Sequence, residues 1–164
     1  MEPVELSVRP FAAADRPWAD ALIASHQGTS LTVRLGERID PLELSGLVAQ
    51  RAGEPVVLLT FRVGGAGFDV VTLHAVSSGT GVGGALLAAA AGRAGESGAR
   101  RLWLVTTNDN LDALAFYQRH GLRLCALYPG AVDADRHLKP EIPPANPSNG
   151  IGIHDLLELE LPLG

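Results

Sequence analysis

The chain has one cysteine, one methionine and two tryptophans in 164 residues. A single thiol, Cys125, excludes an internal disulfide framework and fits a reducing compartment. It sits in Leu122-Arg123-Leu124-Cys125-Ala126-Leu127 with apolar residues on both sides, so it reads as a small buried apolar residue. No uninterrupted apolar run approaches the ~18–20 residues of a membrane-spanning helix. The opening Met1-Glu2-Pro3-Val4-Glu5 is acidic and lacks the apolar core of a signal peptide. Together these absences predict a cytoplasmic protein with no membrane partner. Basic residues are also few, 13 Lys and Arg against 18 Asp and Glu, a net charge of -5 without the basic stripe that nucleic acid requires. The histidines follow no ligand spacing, so no metal site is expected. With 46% apolar and 19% charged residues, the chain reads as globular, one domain over residues 1–164.

Glycine, in contrast, is plentiful, and its densest run organises the rest. Ser77-Ser78-Gly79-Thr80-Gly81-Val82-Gly83-Gly84 follows a β-branched stretch, Phe68 to Leu73, and precedes the alanine-rich Ala85 to Ala94. That order is strand, glycine loop, helix. Residues without Cβ let a bulky anion approach the backbone, and the free amides and dipole of a helix start favour such an anion there. The loop side chains carry no charge, so the backbone would make any grip.

Taken in order, Val4–Arg9 alternates as a first strand, and Asp15 caps a helix to about His26. Leu31–Leu35 is a short strand and Gly36–Pro41 a loop. Leu42–Gln50 and Pro55–Val63 are apolar runs joined through Arg51–Glu54, a four-residue hairpin connection, and Val63–Gly67 forms the next turn. The strand 68–76 then enters the glycine loop, so the first half is a helix plus an antiparallel meander. After the loop come a helix from about Gly83 to Ser97 closed by Gly98, a strand Arg101–Thr107, and a helix capped by Asn108 or Asp109 and ended by Gly121. Leu122–Tyr128 is another strand. The strands on either side of the glycine-loop helix should lie parallel. Pro129–Gly150 is a proline-rich irregular loop. Ile151–Leu161 is a closing strand, an edge open to pairing across a homodimer. The fold class expected is α/β, a mixed, mainly antiparallel central sheet flanked by helices.

Gly79-x-Gly81-x-x-Gly84 also fits the dinucleotide fingerprint, with Asp109 as ribose acceptor. That motif belongs to the first unit of a larger parallel sheet, whereas here a meander precedes it. A phosphate loop fails because no Lys-Ser or Lys-Thr follows the glycines. Gly79-Thr80-Gly81-Val82-Gly83-Gly84-Ala85-Leu86-Leu87, with Asn110-Leu111-Asp112-Ala113-Leu114-Ala115-Phe116-Tyr117 and Gly121-Leu122 downstream, resembles the GNAT superfamily of acetyl-CoA-dependent N-acetyltransferases. The first stretch is similar to that family's pyrophosphate loop and the second to its Asn-to-Phe-Tyr helix, over roughly residues 68–128.

The resemblance implies acetyl-CoA as co-substrate and an amine acceptor, small molecule or protein. It implies that the backbone of Val71, Thr72 and Leu73 pairs with the pantetheine arm, and that the amides of Gly79, Thr80, Gly81, Val82, Gly83 and Gly84 hold the pyrophosphate. Asn110, with Asp112 and Ala113 beside it, would meet the pantetheine amides, and Tyr117 stands at the general-acid position. Ser78 departs from the family, which usually has Arg or Gln there. Asp69 matches a position where some members carry a catalytic Glu, and by period two it shares a strand face with Val71 and Leu73. A carboxylate there would take the proton that an ammonium acceptor must lose; otherwise Asp69 simply begins a hairpin strand after Gly67. By the same period His74 has the opposite parity and faces a helix or solvent. Trp18 and Trp103 read as core, and Asp133, Asp135 and Glu141 as a solvated loop face. The function expected is direct acetyl transfer from acetyl-CoA to a primary amine; the alternative is a non-catalytic acyl-CoA-binding module of the same fold.

Overall fold

Seven strands assemble into one sheet in the order β1-β4-β5-β6-β7-β9-β8 in a computed structural model that describes residues 5–77 and 79–164. The strands are β1 (Leu6–Pro10), β4 (Ser45–Arg51), β5 (Glu54–Gly64), β6 (Gly67–Ala75), β7 (Arg101–Thr107), β8 (Arg123–Tyr128) and β9 (Leu156–Pro162). A separate hairpin joins β2 (Thr32–Arg34) to β3 (Glu37–Ile39). Its second strand occupies what the sequence predicts as loop. All neighbours in the sheet are antiparallel except β6 and β7, which flank the glycine-loop helix and run parallel as expected.

The β4–β5–β6 meander follows the alternation closely. Leu47, Ala49, Val57, Leu59, Phe61, Phe68 and Val70 turn to one face and build the main core against helix α2 (Val82–Glu96) and helix α3 (Leu111–Arg119). Val48 and Leu58 turn to the other face and meet Ala19, Leu22 and Ile23 of helix α1 (Arg16–Gln27). The turn between β4 and β5 is tighter than predicted. Only Ala52 and Gly53 lie outside the strands, and both have positive φ, +52° and +80°, the twist that a two-residue hairpin needs.

Beyond β8, the proline-rich segment is not wholly irregular. It holds a short helix, α4 (Ala131–Asp135), and Val132, Ile142, Ile153 and Leu156 pack beneath it against Val105 and Tyr128. The closing strand begins only at Leu156 and is not an edge. It lies between β7 and β8 and pairs with both. The edges are β1 and β8. Among the described residues no helix is long and apolar enough to cross a membrane.

Candidate active site

Between β6 and β7 the sheet comes apart. The two strands pair only at Phe68–Leu102 and Asp69–Trp103. Beyond that, β6 stays with β5 as far as Ala75, and β7 stays with β9 as far as Thr107. The gap opens towards the C-terminal ends of both strands, the end where an open α/β sheet receives ligands. Backbone edges with no strand partner are what an amide-bearing extended chain can pair with.

Because β6 and β7 are parallel, the segments that follow them stand at the same end. The glycine loop follows β6. Gly81 caps α2 in the left-handed region, φ +80°, and the first helical bond runs from Ala85 N–H to Gly81 O at 3.3 Å. The amides of Val82, Gly83 and Gly84 therefore have no carbonyl within the helix and face outward from its start. Val82 is buried and anchors this end in the core, whereas Gly79, Thr80 and Gly81 are exposed. Ser78 lies outside the described residues.

Asn110 follows β7 and caps α3, its side-chain oxygen accepting Ala113 N–H at 3.3 Å. The cap is thus one or two residues later than predicted, which leaves Asn110 and Asp112 exposed and Ala113 half-buried on the lip opposite the glycine loop. Asp109 instead holds the proline-rich segment: its carboxylate accepts from Asn146 and its carbonyl from Asn149, each at 3.0 Å. α3 leans on the start of α2. A Cβ on Gly84 would come within 2.3 Å of His120 Nε2, and one on Gly83 would touch Phe116 at 3.5 Å. Gly84 is thus needed for helix contact whatever it does for a ligand. Tyr117, half-buried beside Phe116 on the same helix, is desolvated, and its hydroxyl is pushed up to about 12.

On β6 the face assignment expected from period two fails. Thr60 pairs with Thr72 but Phe61 pairs with Val70, so Val71 is an extra residue, a bulge. Parity reverses across it. Phe68, Val70, Leu73 and Ala75 all face the main core; Asp69, Thr72 and His74 face α1 and the β2–β3 hairpin. Asp69 therefore does not share a face with Leu73, and His74 joins it. His74 stacks on His26 of α1 with ring centroids 4.7 Å apart, and His26 Nε2 lies 3.0 Å from Ala75 O. Burial, with His26 and Lys139 nearby, pushes His74 down to about 4.

Asp69 is buried and in use. Its Oδ2 accepts from Arg34 and from Arg62 Nε at 3.0 Å. Its Oδ1, also buried, has no partner among the described residues, and neither has Trp103 Nε1. Trp103 is half-buried on this polar face with the guanidiniums of Arg34 and Arg101 at 5.3 and 5.1 Å from its ring, so it is not the core residue expected. Two further expectations are overturned here. Cys125 is exposed on the edge strand β8 and donates to Glu158. Asp135 is buried and accepts Gly36 N–H at 3.0 Å. Asp133 is exposed on the loop face as expected, pairing there with Arg136 and His154. Arg34 and Arg62 were not legible as site residues, because each meets Asp69 only through tertiary contact, Arg34 from 35 positions away.

The arrangement is a split parallel pair, a helix start with free amides at its mouth, a phenol on one face and a carboxylate on the other. The acetyltransferase (GNAT) family model matches residues 40–122, just over half of the chain and the part that builds this site. Uncharacterized protein YdhI of Bacillus subtilis is 39% identical over 114 residues, 69% of this chain and 71% of its own. Uncharacterized protein YxbD of the same organism is 32% identical over 155 residues, 94% and 97% respectively. Among solved structures, the IAA acetyltransferase from Bacillus cereus matches with a TM-score of 0.75 at 18% identity, over 97% of this chain and 100% of that one. A Bacillus subtilis acetyltransferase in complex with CoA matches with a TM-score of 0.68 at 16% identity, over 99% and 100%. With the family model matching just over half of the chain and a relative 32% identical over 94% of it, the protein belongs to the GNAT family of acetyltransferases.

Proposed function

We propose that the protein transfers the acetyl group of acetyl-CoA directly to a primary amine, with both substrates held at once across the gap between β6 and β7. The observation that carries this reading is the gap, since its free strand edges and the amide-rich helix start at its mouth match the amides and pyrophosphate of the co-substrate. The amides of Gly79 to Gly84 hold the pyrophosphate. Val71, Thr72 and Leu73 on one lip, and Asn110, Asp112 and Ala113 on the other, flank the pantetheine arm. The amine nitrogen attacks the thioester carbon, the C–S bond breaks, and Tyr117 protonates the departing thiolate on the α3 face. On the opposite face Asp69 receives the ammonium and takes its proton. Acid and carboxylate on opposite faces keep the two proton transfers apart.

One observation favours a second reading, a non-catalytic acyl-CoA-binding module: the carboxylate meant for the amine already holds two guanidiniums. A single experiment separates the two. CoA and acetyl-CoA should raise the melting temperature by mass action while NAD does not, and free thiol should appear from acetyl-CoA only when a primary amine is supplied. Stabilisation without thiol release across a broad amine panel would leave the binding module. A shift with NAD and none with CoA would overturn both.

A further inference from the structure

A continuous row of charges crosses the face of the sheet that carries Asp69. Glu37 holds Arg62 at 2.6 and 2.7 Å, and Arg62 and Arg34 share Asp69 Oδ2. Arg34 and Arg101 both lie over Trp103. Arg101 ends the row on Glu158 at 2.8 Å and Glu160 at 2.7 Å. Three guanidiniums thus meet four carboxylates, and the surplus negative charge lies at Arg101, which faces two glutamates. Asp69 has two guanidiniums on one oxygen, while its other oxygen, Oδ1, is buried without a partner among the described residues, on a side chain whose residue is only 3% exposed. Asp69 and Trp103, each with an unpartnered polar atom, line a cleft of about 180 Å³ together with Arg62 and Val63.

Arg34 and Glu37 do not belong to the main sheet. They sit on the β2–β3 hairpin, whose turn is tied by Gly36 N–H to Asp135 and whose approach is tied by Lys139 Nζ to Leu31 O at 2.7 Å. The hairpin therefore lies over the face on which an acceptor would approach Asp69, held there by a guanidinium on that very carboxylate.

We infer that the β2–β3 hairpin is an acceptor-gated latch: Arg34 occupies Asp69 in the free protein, and the acceptor's alkylammonium takes its place as the hairpin lifts. The inference rests on the proposed function for the identity of the acceptor. A buried carboxylate that loses a partner with nothing in return is strongly disfavoured, so the hairpin does not open by itself. Exchange of one monocation for another leaves Asp69 paired, and it vacates the Trp103 face, on which an ammonium is also favourable. A neutral amine or an anion offers no such exchange. The latch therefore selects acceptors that arrive protonated, alkylamines over arylamines, whose nitrogen is uncharged at neutral pH.

The test needs no acetyl-CoA. Arg34→Gln removes the internal cation while keeping a polar hydrogen-bonding side chain, and methylammonium chloride serves as probe against sodium chloride at equal ionic strength. Methylammonium should raise the melting temperature of Arg34→Gln above its value in sodium chloride by several degrees, and should leave wild type nearly unchanged. In wild type, the same salt should speed hydrogen exchange of residues 32–39 by on the order of tenfold while the β4–β5–β6 amides stay protected. If Arg34 is merely structural, the variant is destabilised equally in both salts and hairpin exchange ignores the cation; that outcome overturns the latch. Should Arg34→Gln fail to fold, Arg34→Lys, which keeps the charge but not the two-pronged guanidinium, should release the hairpin at lower methylammonium than wild type, and no difference would again overturn it. Absence of acetyl transfer would count against the proposed function and leave these results untouched.

Discussion

At the scale of the residue, Tyr117 carries the clearest chemical prediction. Its phenol is one hydroxyl on a ring that also packs in the core, so Tyr117→Phe separates chemistry from packing. The variant should bind acetyl-CoA with an unchanged Kd and lose kcat by roughly 10²–10⁴-fold, the usual range for one positioned proton donor. Desolvation sets the pH dependence. A general acid works while protonated, and with the hydroxyl at about 12 the proton stays on through the alkaline range. The kcat profile should therefore run level to pH 10, where a tyrosine at its ordinary value would already be half ionised. An alkaline limb centred near 10 would mean that the hydroxyl keeps its ordinary value, and a Phe variant with wild-type kcat removes Tyr117 from the mechanism.

At the scale of the element, the bulge in β6 is decisive, because one extra residue puts Asp69, Thr72 and His74 on a single face. Beside it, Thr60 Oγ1 and Thr72 Oγ1 share a hydrogen bond of 2.7 Å, both side chains buried. The pair ties β5 to β6 at the residue where the register changes. Thr72→Val strands one buried hydroxyl and should cost about 1–3 kcal/mol in urea unfolding, whereas the double variant Thr60→Val/Thr72→Val should recover most of that loss. The double-mutant cycle measures the coupling; additive costs would mean that the bond does not pin the register. Dimer pairing belongs to this scale too. β9 is enclosed, so edge-to-edge association at the ends of the seven-stranded sheet would use β1 or β8.

At the scale of the whole molecule, stability is tied to pH through His74. Its folded value lies near 4 against an ordinary 6.5, lowered by burial first and then by His26 of α1 and Lys139 of the proline-rich segment. Between those two values the unfolded chain binds more protons than the folded one, so stability rises with pH across that window. The contribution is complete above about pH 6.5 and is lost as pH falls towards 4, an amount on the order of 1–3 kcal/mol. Urea unfolding of wild type at pH 7 and pH 5 should show that loss, and His74→Gln should shrink the difference. An equal difference in the variant would mean that other groups govern the acid side.

Much of the protein was legible from local pattern. The alternation of β4, β5 and β6, the glycine loop between strand and helix, and the parallel relation across α2 all follow from side-chain period, turn chemistry and the handedness of crossovers. These depend on residues within a few positions of one another. What eluded a local reading depends on partners far along the chain. Period two places Asp69 with Leu73 until a ladder with β5 forces a bulge at Val71, and the bulge exists only when β5 is present. Alternation marks residues 156–162 as a strand but cannot say that β7 and β8 stand on either side. Trp103 and Cys125 have apolar neighbours in sequence, yet arginines and Glu158 meet them in space. The sequence by itself determined which segments are strands and helices and where the glycine loop lies between them. Only the tertiary structure decided which face each side chain takes, and that Asp69 is held by Arg34, because a charge pair between distant residues is made by the folded sheet and leaves no trace in local spacing.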